Sequence, residues 1–269
     1  MKRLAFDYYM HIAFSEVVSQ SHYTIKCIPM DTASQRLETL QVEIAPKDTM
    51  SRGEDSFGNQ YLYGSVNQNQ QEFYFRITGE VTTGMRAWQD RVMENTAGLY
   101  RYESRYTRIG DGLQAYYSLN RPEAGESAYD YAERLMHRLH EDFVYEKNVT
   151  DVSTTAEEAW KLGRGVCQDY AHIMIALCRK AGIRARYAAG MMIGEGASHA
   201  WVEAAWEGKW YAFDPTNDKL ADDTYIKLGT GRDAADCQIN RGLLRGGGTQ
   251  IQTVDVKVCL CGSDEPGGI

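Results

Sequence analysis

The sequence predicts an α+β fold, in which an all-β N-terminal region precedes a domain of helices followed by an antiparallel sheet. Three successive patterns along the chain predict this order. Residues 1–84 alternate apolar and polar side chains, residues from 127 onward show helical spacing, and strand alternation returns after Gly182. Segregated runs of strands and helices are typical of α+β proteins.

Residues 1–84 predict a β-sandwich-like N-terminal module. Their apolar stretches are short, rich in β-branched and aromatic residues, and separated by turn sequences such as Phe57-Gly58-Asn59. Short strands at regular spacing are typical of sandwiches and small barrels. The predicted strands are Leu4 to Phe14, Tyr23 to Ile28, Gln41 to Ile44, Gln60 to Tyr63 and Glu72 to Ile77.

Residues 85–126 show no clear period, and we interpret them as a linker region that packs on both modules. Tyrosines and arginines cluster there, which leaves two interpretations open. Tyrosine combines apolar area with a polar tip, so the cluster could border a substrate. The cluster could instead fill the junction between two domains, and we favour this second interpretation.

Residues 127–269 predict the larger domain. Ser127 begins a sequence that resembles a capping box, and the pair Thr154-Thr155 offers a cap for a second, shorter helix. Apolar residues then recur with helical spacing from Cys167 until Gly182 ends that helix. The change to helical spacing at 127 therefore sets the predicted domain boundary.

The second half of this domain predicts an antiparallel meander. The run from His199 to Trp206 reads as a strand, Glu207-Gly208-Lys209 as a tight turn, and Trp210 to Asp214 as the returning strand. Pro215 ends the returning strand because proline cannot donate to a ladder. A last strand over 250–260 forms a C-terminal β tail, which we assign to the same domain.

Composition limits the partners and the compartment. The net charge of −8 argues against nucleic acid, because phosphate backbones attract clustered Lys and Arg. No stretch approaches the roughly 20 apolar residues that cross a bilayer, so we expect no membrane partner. The first residues read as a strand rather than a signal peptide, and the six cysteines are dispersed, so we expect a cytoplasmic protein with free thiols.

Three complementary side chains lie at the ends of predicted elements. Cys167 begins a helix, His199 begins a strand and Asp214 ends the next strand. A helix start favours the thiolate, the nucleophilic form of cysteine, because its backbone N–H groups are unpaired. The hairpin brings Asp214 within one or two residues of the position opposite His199, where a carboxylate orients an imidazole. We predict Cys167 as the nucleophile, His199 as its base and Asp214 as the acid that orients His199.

Each of these residues also has an ordinary structural role. A cysteine is often a small buried apolar residue, a strand histidine a buried polar one, and an aspartate before proline a turn former. Their order and contexts together favour catalysis. We expect no metal or cofactor, since Cys259 and Cys261 lack the second ligand pair of a zinc site.

The sequence leaves open which group would stabilise an oxyanion. The backbone N–H of Cys167 is one donor, because a helix start leaves it unpaired. Gln168 and Trp160 are the side-chain candidates. Trp201, two residues after His199, is a further residue that we expect beside the substrate.

The sequence around these residues resembles the transglutaminase-like superfamily, a branch of the papain-like fold. The resembling segments are Gly165-Val166-Cys167-Gln168-Asp169-Tyr170-Ala171-His172, His199-Ala200-Trp201-Val202-Glu203 and Trp210-Tyr211-Ala212-Phe213-Asp214-Pro215-Thr216. The resemblance implies a helix carrying the cysteine, packed on an antiparallel sheet. It also implies that Cys167, His199 and Asp214 form a catalytic triad.

The N-terminal region resembles the β module of bacterial members, which carry the names transglutaminase-like and cysteine protease. Ala45-Pro46 and Asp55-Ser56-Phe57-Gly58-Asn59 carry this resemblance. The calcium dependence of animal transglutaminases is not implied. Asp218, Asp222 and Asp223 do not reproduce a calcium loop.

The predicted chemistry is thioester formation on an amide or peptide bond. We expect hydrolysis, as by a cysteine peptidase or amidase, because water is the default acceptor in an open site. Two alternatives stay open: acyl transfer from glutamine to an amine, and a non-catalytic binding module on the same fold. The expected partner is a peptide, a protein or a small amide, and the oligomeric state is not predicted.

Overall fold

The computed structural model describes residues 1–85, 90–93 and 97–262. Its strands are β1 (Lys2–Ile25), β2 (Gln35–Ala45), β3 (Thr49–Glu54), β4 (Gln60–Val66), β5 (Gln70–Thr83), β6 (Val144–Tyr145), β7 (Arg164–Gly165), β8 (Ala185–Met192), β9 (Gly194–Gly196), β10 (His199–Trp206), β11 (Lys209–Asp214), β12 (Lys219–Leu220), β13 (Tyr225–Gly231), β14 (Asn240–Gly246) and β15 (Gln250–Leu260). The α-helices of the described ranges are α1 (Asp111–Leu119), α2 (Ala128–Asp142), α3 (Ala156–Leu162) and α4 (Cys167–Lys180).

The helix boundaries follow the local signals of the sequence. The side chain of Ser127 accepts a hydrogen bond from the backbone N–H of Asp130 at the start of α2. Thr155 and Glu158 form a reciprocal capping box at the start of α3. Gly163 ends α3 at φ +69°, a conformation that glycine adopts without a steric cost. The predicted helix starts are therefore confirmed.

The N-terminal strands β1 to β5 join β9, β14 and β15 in one eight-stranded sheet instead of forming the predicted sandwich. β1 pairs with β5 and β15 through its first half, and with β4 and β14 through its second half. We predicted a strand end after Phe14, and in the structure Ser15 to Val17 are exposed and interrupt the burial alternation. In the structure the register shifts between Ala13 and Val18, and the same strand continues beyond this irregularity.

The C-terminal tail departs from the predicted domain assignment. β15 forms over the predicted residues, but it pairs antiparallel with β1, from Leu4 opposite Leu260 to Phe14 opposite Gln250. It therefore belongs to the N-terminal sheet and not to the larger domain. Pairing between the two ends of a chain leaves no local signal in the sequence, since alternation identifies a strand and not its neighbour.

The larger domain contains a five-stranded antiparallel sheet in the order β12-β11-β10-β8-β13. Helices α2 and α4 pack on it, and alternate residues of β10 (Ala200, Val202 and Ala204) share a buried core with Ile173 and Leu177 of α4. This is the arrangement of a helix packed on an antiparallel sheet that the sequence predicted, so the predicted α+β fold class is confirmed.

Residues 111–119, which we predicted as part of a linker region, form α1. Leu113 and Tyr116 are buried in the same core as α4, and Tyr116 packs against Trp160 with 4.3 Å between ring centroids. The periodicity escaped detection because this helix is short. Tyr100 packs edge-on to Trp210 at 5.3 Å and against Phe57 at 6.3 Å, so this tyrosine lies between the N-terminal region and the larger domain, whereas Tyr116 belongs to the core of the larger domain.

Two side-chain amides join the N-terminal region to the larger domain. Gln35 donates to the carbonyl of Lys227 at 2.8 Å and accepts from its backbone N–H at 2.8 Å. Asn59 makes the same pair of bonds with Thr230, at 2.9 and 2.7 Å. These amides satisfy backbone groups of β13, the outer strand of its sheet, as a neighbouring strand would. The two regions are thereby held in one arrangement.

Within residues 1–85, 90–93 and 97–262, no helix combines the length and the apolar character that crossing a membrane requires.

Candidate active site

Cys167 is the first residue of α4 and lies half-buried at the wall of a cleft. The helix start is held by the next acidic residue, Asp169, whose Oδ2 accepts from the backbone N–H of Val166 at 2.8 Å. The hydroxyl of Thr150 donates to the same oxygen at 2.6 Å. Glycine is required at 165, since an added Cβ would lie 2.4 Å from Asp169 Oδ2. These contacts fix the position of the thiol.

His199 and Asp214 meet across the β10–β11 hairpin. The tight turn forms as predicted, with Glu207 and Gly208 both at positive φ. Val202 lies opposite Phe213, so the next pair sets Asp214 against Trp201, two residues from His199. Nε2 of His199 lies 2.7 Å from Oδ2 of Asp214. The proximity that the sequence predicted is therefore present.

Asp214 is fully buried, and both of its oxygens accept hydrogen bonds. Oδ2 accepts from the Tyr225 hydroxyl at 2.7 Å and from Asn217 Nδ2 at 2.7 Å, besides its contact with His199. Oδ1 accepts from the backbone N–H groups of Thr216 at 3.0 Å and Asn217 at 3.2 Å. Burial opposes the charge, but these donors, led by His199, hold the pKa of Asp214 below its ordinary value.

Asp214 thus combines two roles that the sequence presented as alternatives. Through Oδ1 it forms the turn expected of an aspartate before Pro-Thr, and through Oδ2 it contacts the imidazole. The turn fixes the carboxylate, so the structural role supports the orienting one.

His199 contacts both Asp214 and Cys167. Burial acts to lower its pKa, but the hydrogen bonds with the Asp214 carboxylate and the Cys167 sulfur outweigh burial and raise that pKa to about 10. With Nε2 directed at Asp214, Nδ1 is the ring nitrogen left for the thiol. The imidazole therefore lies between the buried carboxylate of Asp214 and the sulfur of Cys167, with one ring nitrogen for each.

The cleft has a volume of about 710 Å³ and lies where the N-terminal sheet meets the larger domain. Its lining combines Cys167 and His199 with a wall of side chains from β1 and β15. Tyr8 of β1 is fixed there by a hydrogen bond with Ser198, the residue before His199. The β1 and β15 residues of this wall are Tyr8, Met10, Gln252 and Val254.

The cleft is almost free of charge outside the thiol and the imidazole. Among its described lining residues, Lys147 is the one with a permanent charge, and none is Asp or Glu. The chain as a whole carries 37 acidic and 29 basic residues, so an acid-free lining contrasts with the rest of the molecule. Bound groups near the thiol therefore meet neutral or positive surroundings.

The structure separates the three lower-ranked candidates. Gln168 lines the cleft, with its Nε2 3.3 Å from the carbonyl oxygen of Asp151. Trp160 packs between helices against Tyr116 and does not line the cleft, because its apolar ring completes a buried cluster. Trp201 is fully buried beside His199, where it contacts Tyr225 edge-on. Its ring lies on the face of β10 turned away from α4, in a small core with Tyr225 and Ala212, and it does not line the cleft.

Sequence reasoning missed two donors that fix Asp214. Asn217 follows it by three residues in the turn, a position from which an amide reaches back to the carboxylate. Tyr225 comes from β13 and left no signal, since the strand that brings it is not adjacent in sequence. The N-terminal wall of the cleft was missed for the same reason.

The other buried histidine, His172, is separate from the cleft. Its Nε2 accepts from the backbone N–H of Ala234 at 3.1 Å, and its ring stacks on Tyr106. Burial, with a smaller contribution from Arg179, lowers its pKa to about 3, so the ring is neutral. No group of three His, Cys, Asp or Glu residues is placed to hold a metal ion within the described part of the chain.

Two family models match the chain. The transglutaminase-like superfamily model matches residues 118–215, and the model of the bacterial transglutaminase-like N-terminal region matches residues 4–82. A crystal structure from Cytophaga hutchinsonii, described as that of a "Putative Cysteine Protease", has a TM-score of 0.81 and 21% identity. The match covers 98% of this chain and 92% of that one.

Mycobacterial relatives are also similar. An uncharacterized protein of Mycobacterium tuberculosis is 29% identical over 267 residues, covering 86% of this chain and 84% of that protein. An uncharacterized protein of Mycobacterium leprae is 37% identical over 124 residues, covering 42% and 44% of the two chains.

A cysteine at the start of a helix, packed on an antiparallel sheet that carries a histidine, defines the papain-like class of thiol-dependent enzymes. Within that class, the matches to both the core and the N-terminal region identify the family. The chain belongs to the transglutaminase-like superfamily and carries the N-terminal region of its bacterial members.

Proposed function

We propose that this protein is a cysteine peptidase or amidase that hydrolyses an amide bond through a thioester on Cys167. The observation that carries the proposal is the chain of contacts from sulfur to His199 to the buried carboxylate of Asp214. A thiolate is the nucleophilic form of cysteine, and an adjacent imidazolium stabilises it.

The proposed reaction follows from these positions. The Cys167 sulfur attacks the carbonyl carbon, and the backbone N–H of Cys167 stabilises the oxyanion, with Gln168 Nε2 as the candidate second donor. Nδ1 of His199 gives its proton to the leaving amine as the C–N bond breaks. His199 then takes a proton from water, which attacks the thioester and releases a carboxylic acid. Asp214 orients the ring and stabilises its positive charge throughout.

Two features favour water over an amine as the acceptor. An incoming primary amine is an ammonium ion in neutral solution, and the described cleft lining holds no Asp or Glu to bind it. Lys147 at the cleft repels such a group. Acyl transfer from glutamine to an amine remains the second candidate, because the thioester is common to both reactions.

We further propose that the protein acts in the cytoplasm, as its sequence predicts. All six cysteines are free thiols in the structure, which supports a reducing compartment.

The test compares wild type with Cys167→Ala on a library of fluorogenic peptides and small amides. Cys259→Ala is the matched control, because it removes a half-buried thiol on β15, outside the cleft. We expect turnover by wild type and Cys259→Ala, and none by Cys167→Ala at an unchanged melting temperature.

A labelled primary amine in the same assay separates the alternatives. Amine incorporation that exceeds hydrolysis would replace the peptidase proposal with acyl transfer. Equal turnover by Cys167→Ala and wild type would refute the thioester. Binding without turnover by wild type would instead support a non-catalytic module.

A further inference from the structure

We propose that β14 binds an extended, acidic segment of the polypeptide whose carbonyl group reaches Cys167. This inference rests on the proposed function and narrows its substrate class to a polypeptide. Substrate residues that lie beyond the cleft would pair with β14 as an added strand at the edge of the N-terminal sheet, and β14 would thereby recognise them.

β14 is an exposed outer strand. It pairs with the second half of β1, from Ile25 opposite Asn240 to Val18 opposite Gly246. In the described parts of the chain, β1 is its one strand partner, so its other edge presents backbone N–H and C=O groups to solvent. Such an edge is a template on which an extended peptide adds as a further strand.

The side chains of β14 define which peptide fits. Arg241, Leu243 and Arg245 lie opposite Thr24, His22 and Gln20, so they share the outward face of this sheet. Leu243 is 72% exposed, so its side chain is accessible to an apolar side chain on a ligand strand.

Both arginines are available to a ligand. Arg241 and Arg245 are exposed, and neither forms an ion pair with any described residue. Opposite charges in directly facing strand positions stabilise a sheet, and like charges destabilise it. The complementary strand therefore carries an acidic, an apolar and an acidic residue at alternate positions.

β14 is continuous with the cleft. It begins at Asn240, and Gln238, Ile239 and Asn240 line the cleft that holds Cys167. A polypeptide that leaves the thiol along this wall therefore meets Asn240, the first residue of β14. Lys147, the charged residue of the cleft lining, favours acidic groups on the same ligand.

A second copy of this chain fits the edge poorly. Antiparallel pairing of two β14 strands centred on Leu243 would set Arg241 of each copy opposite Arg245 of the other. Like charges in both outer pairs oppose that association. The pattern of side chains thus favours a foreign acidic strand over self-association.

The test measures binding by fluorescence anisotropy, using the full chain with Cys167→Ala so that no peptide is consumed. The probe is a fluorescein-labelled peptide of sequence Thr-Glu-Thr-Val-Thr-Glu-Thr, and its control has Lys in place of both Glu. We expect about tenfold tighter binding of the Glu peptide, since charge pairs of this kind contribute up to about 1 kcal/mol each. Adding Arg241→Glu and Arg245→Glu should reverse the preference.

The matched control is Arg101→Glu with Arg108→Glu, which changes net charge equally at exposed positions outside the cleft and β14. It should leave the peptide preference unchanged. Equal binding of the two peptides, or equal effects of the two double variants, would overturn the proposal and leave the arginines as protection of an open edge. Dimerisation of wild type in sedimentation that Leu243→Glu abolishes would also overturn it.

Failure of this inference is distinguishable from failure of the proposed function. Binding is measured without the thiol, so a protein that hydrolyses nothing can still show the charge preference. Loss of the preference with intact turnover overturns the role of β14 alone.

Discussion

Two buried carboxylates flank the candidate active site, and their surroundings differ. Asp214 accepts hydrogen bonds on both oxygens, from side chains and from backbone, and its pKa is lowered. Asp169 accepts on Oδ2 from Thr150 and Val166, while its Oδ1 has no hydrogen-bond partner among the described residues. Burial outweighs these two donors and raises the pKa of Asp169.

The number of hydrogen-bond donors decides whether a buried carboxylate keeps its charge. A carboxylate out of water keeps its charge only when hydrogen bonds or an opposite charge replace the lost solvation. Asp214 meets this condition and can stabilise an imidazolium. Asp169 meets it partly, which suits a residue that holds a helix start in place.

The largest expected effect comes from Asp214→Asn against Asp169→Asn. Replacing the orienting acid should lower turnover by about 10⁴-fold, because the amide neither fixes the tautomer nor stabilises the imidazolium. Replacing Asp169 should lower it less than about tenfold, because an amide oxygen still accepts from Val166 and Thr150. Steady-state kinetics of both variants check this.

Circular dichroism melts serve as the control for folding in that pair. Equal losses of activity in two folded variants would contradict the distinction between the two carboxylates.

The pH dependence of stability tests the charge of Asp214 through its partner, His199. The pKa of His199 rises from 6.5 to about 10 on folding, so its contribution is fully present below pH 6.5 and is lost as the pH rises through 10. The free energy of unfolding of wild type should fall more steeply between pH 6.5 and 10 than that of His199→Gln. Urea titrations across this range measure both slopes, and parallel slopes would refute the raised pKa.

Tyr225→Phe against Tyr170→Phe tests the donors to Asp214. Both hydroxyls are buried donors, but Tyr225 donates to a carboxylate at 2.7 Å and Tyr170 to the neutral carbonyl of Phe143 at 2.5 Å. Bonds to charged groups contribute about 1.5–3 kcal/mol and neutral ones about 0.5–1.5 kcal/mol. Urea unfolding should therefore show the greater loss for Tyr225→Phe, and a reversed order would mean that Asp214 is uncharged.

Gly165→Ala tests whether the side chain of Asp169 is fixed in place. Its added methyl group would meet Asp169 Oδ2 at 2.4 Å, so we expect a loss of about 1–3 kcal/mol from overpacking. Gly98→Ala, where an added Cβ meets nothing within 4 Å, is the control and should change the free energy of unfolding little. A tolerated Gly165→Ala would show that Asp169 is free to move.

The sequence was sufficient to predict where the three candidate catalytic residues lie, because each lies at the end of a helix or strand that has a local sequence signal. The capping box at Thr155, the glycine at 163 and the tight turn at Glu207-Gly208 are all present in the structure. The hairpin register alone confined Asp214 to the neighbourhood of His199.

What the sequence could not predict is long-range pairing. β15 alternates like any strand, and nothing local indicates that β1 is its partner. The same limit concealed Tyr225, the cleft wall from β1, and the edge of β14. For Trp160 and Trp201 the error was the opposite one. We predicted contact with a substrate because both lie near the candidate residues, but both pack in buried cores.

The most direct test of the account is alkylation of the cysteines by iodoacetamide as a function of pH, read by peptide mass mapping. Wild type is compared with His199→Ala, and the half-buried Cys259 and Cys261 are internal references. Because a paired thiolate reacts where ordinary thiols do not, we predict selective labelling of Cys167 down to about pH 6, lost in His199→Ala. If Cys167 labels no faster than the references, or if the loss of His199 changes nothing, the triad is contradicted.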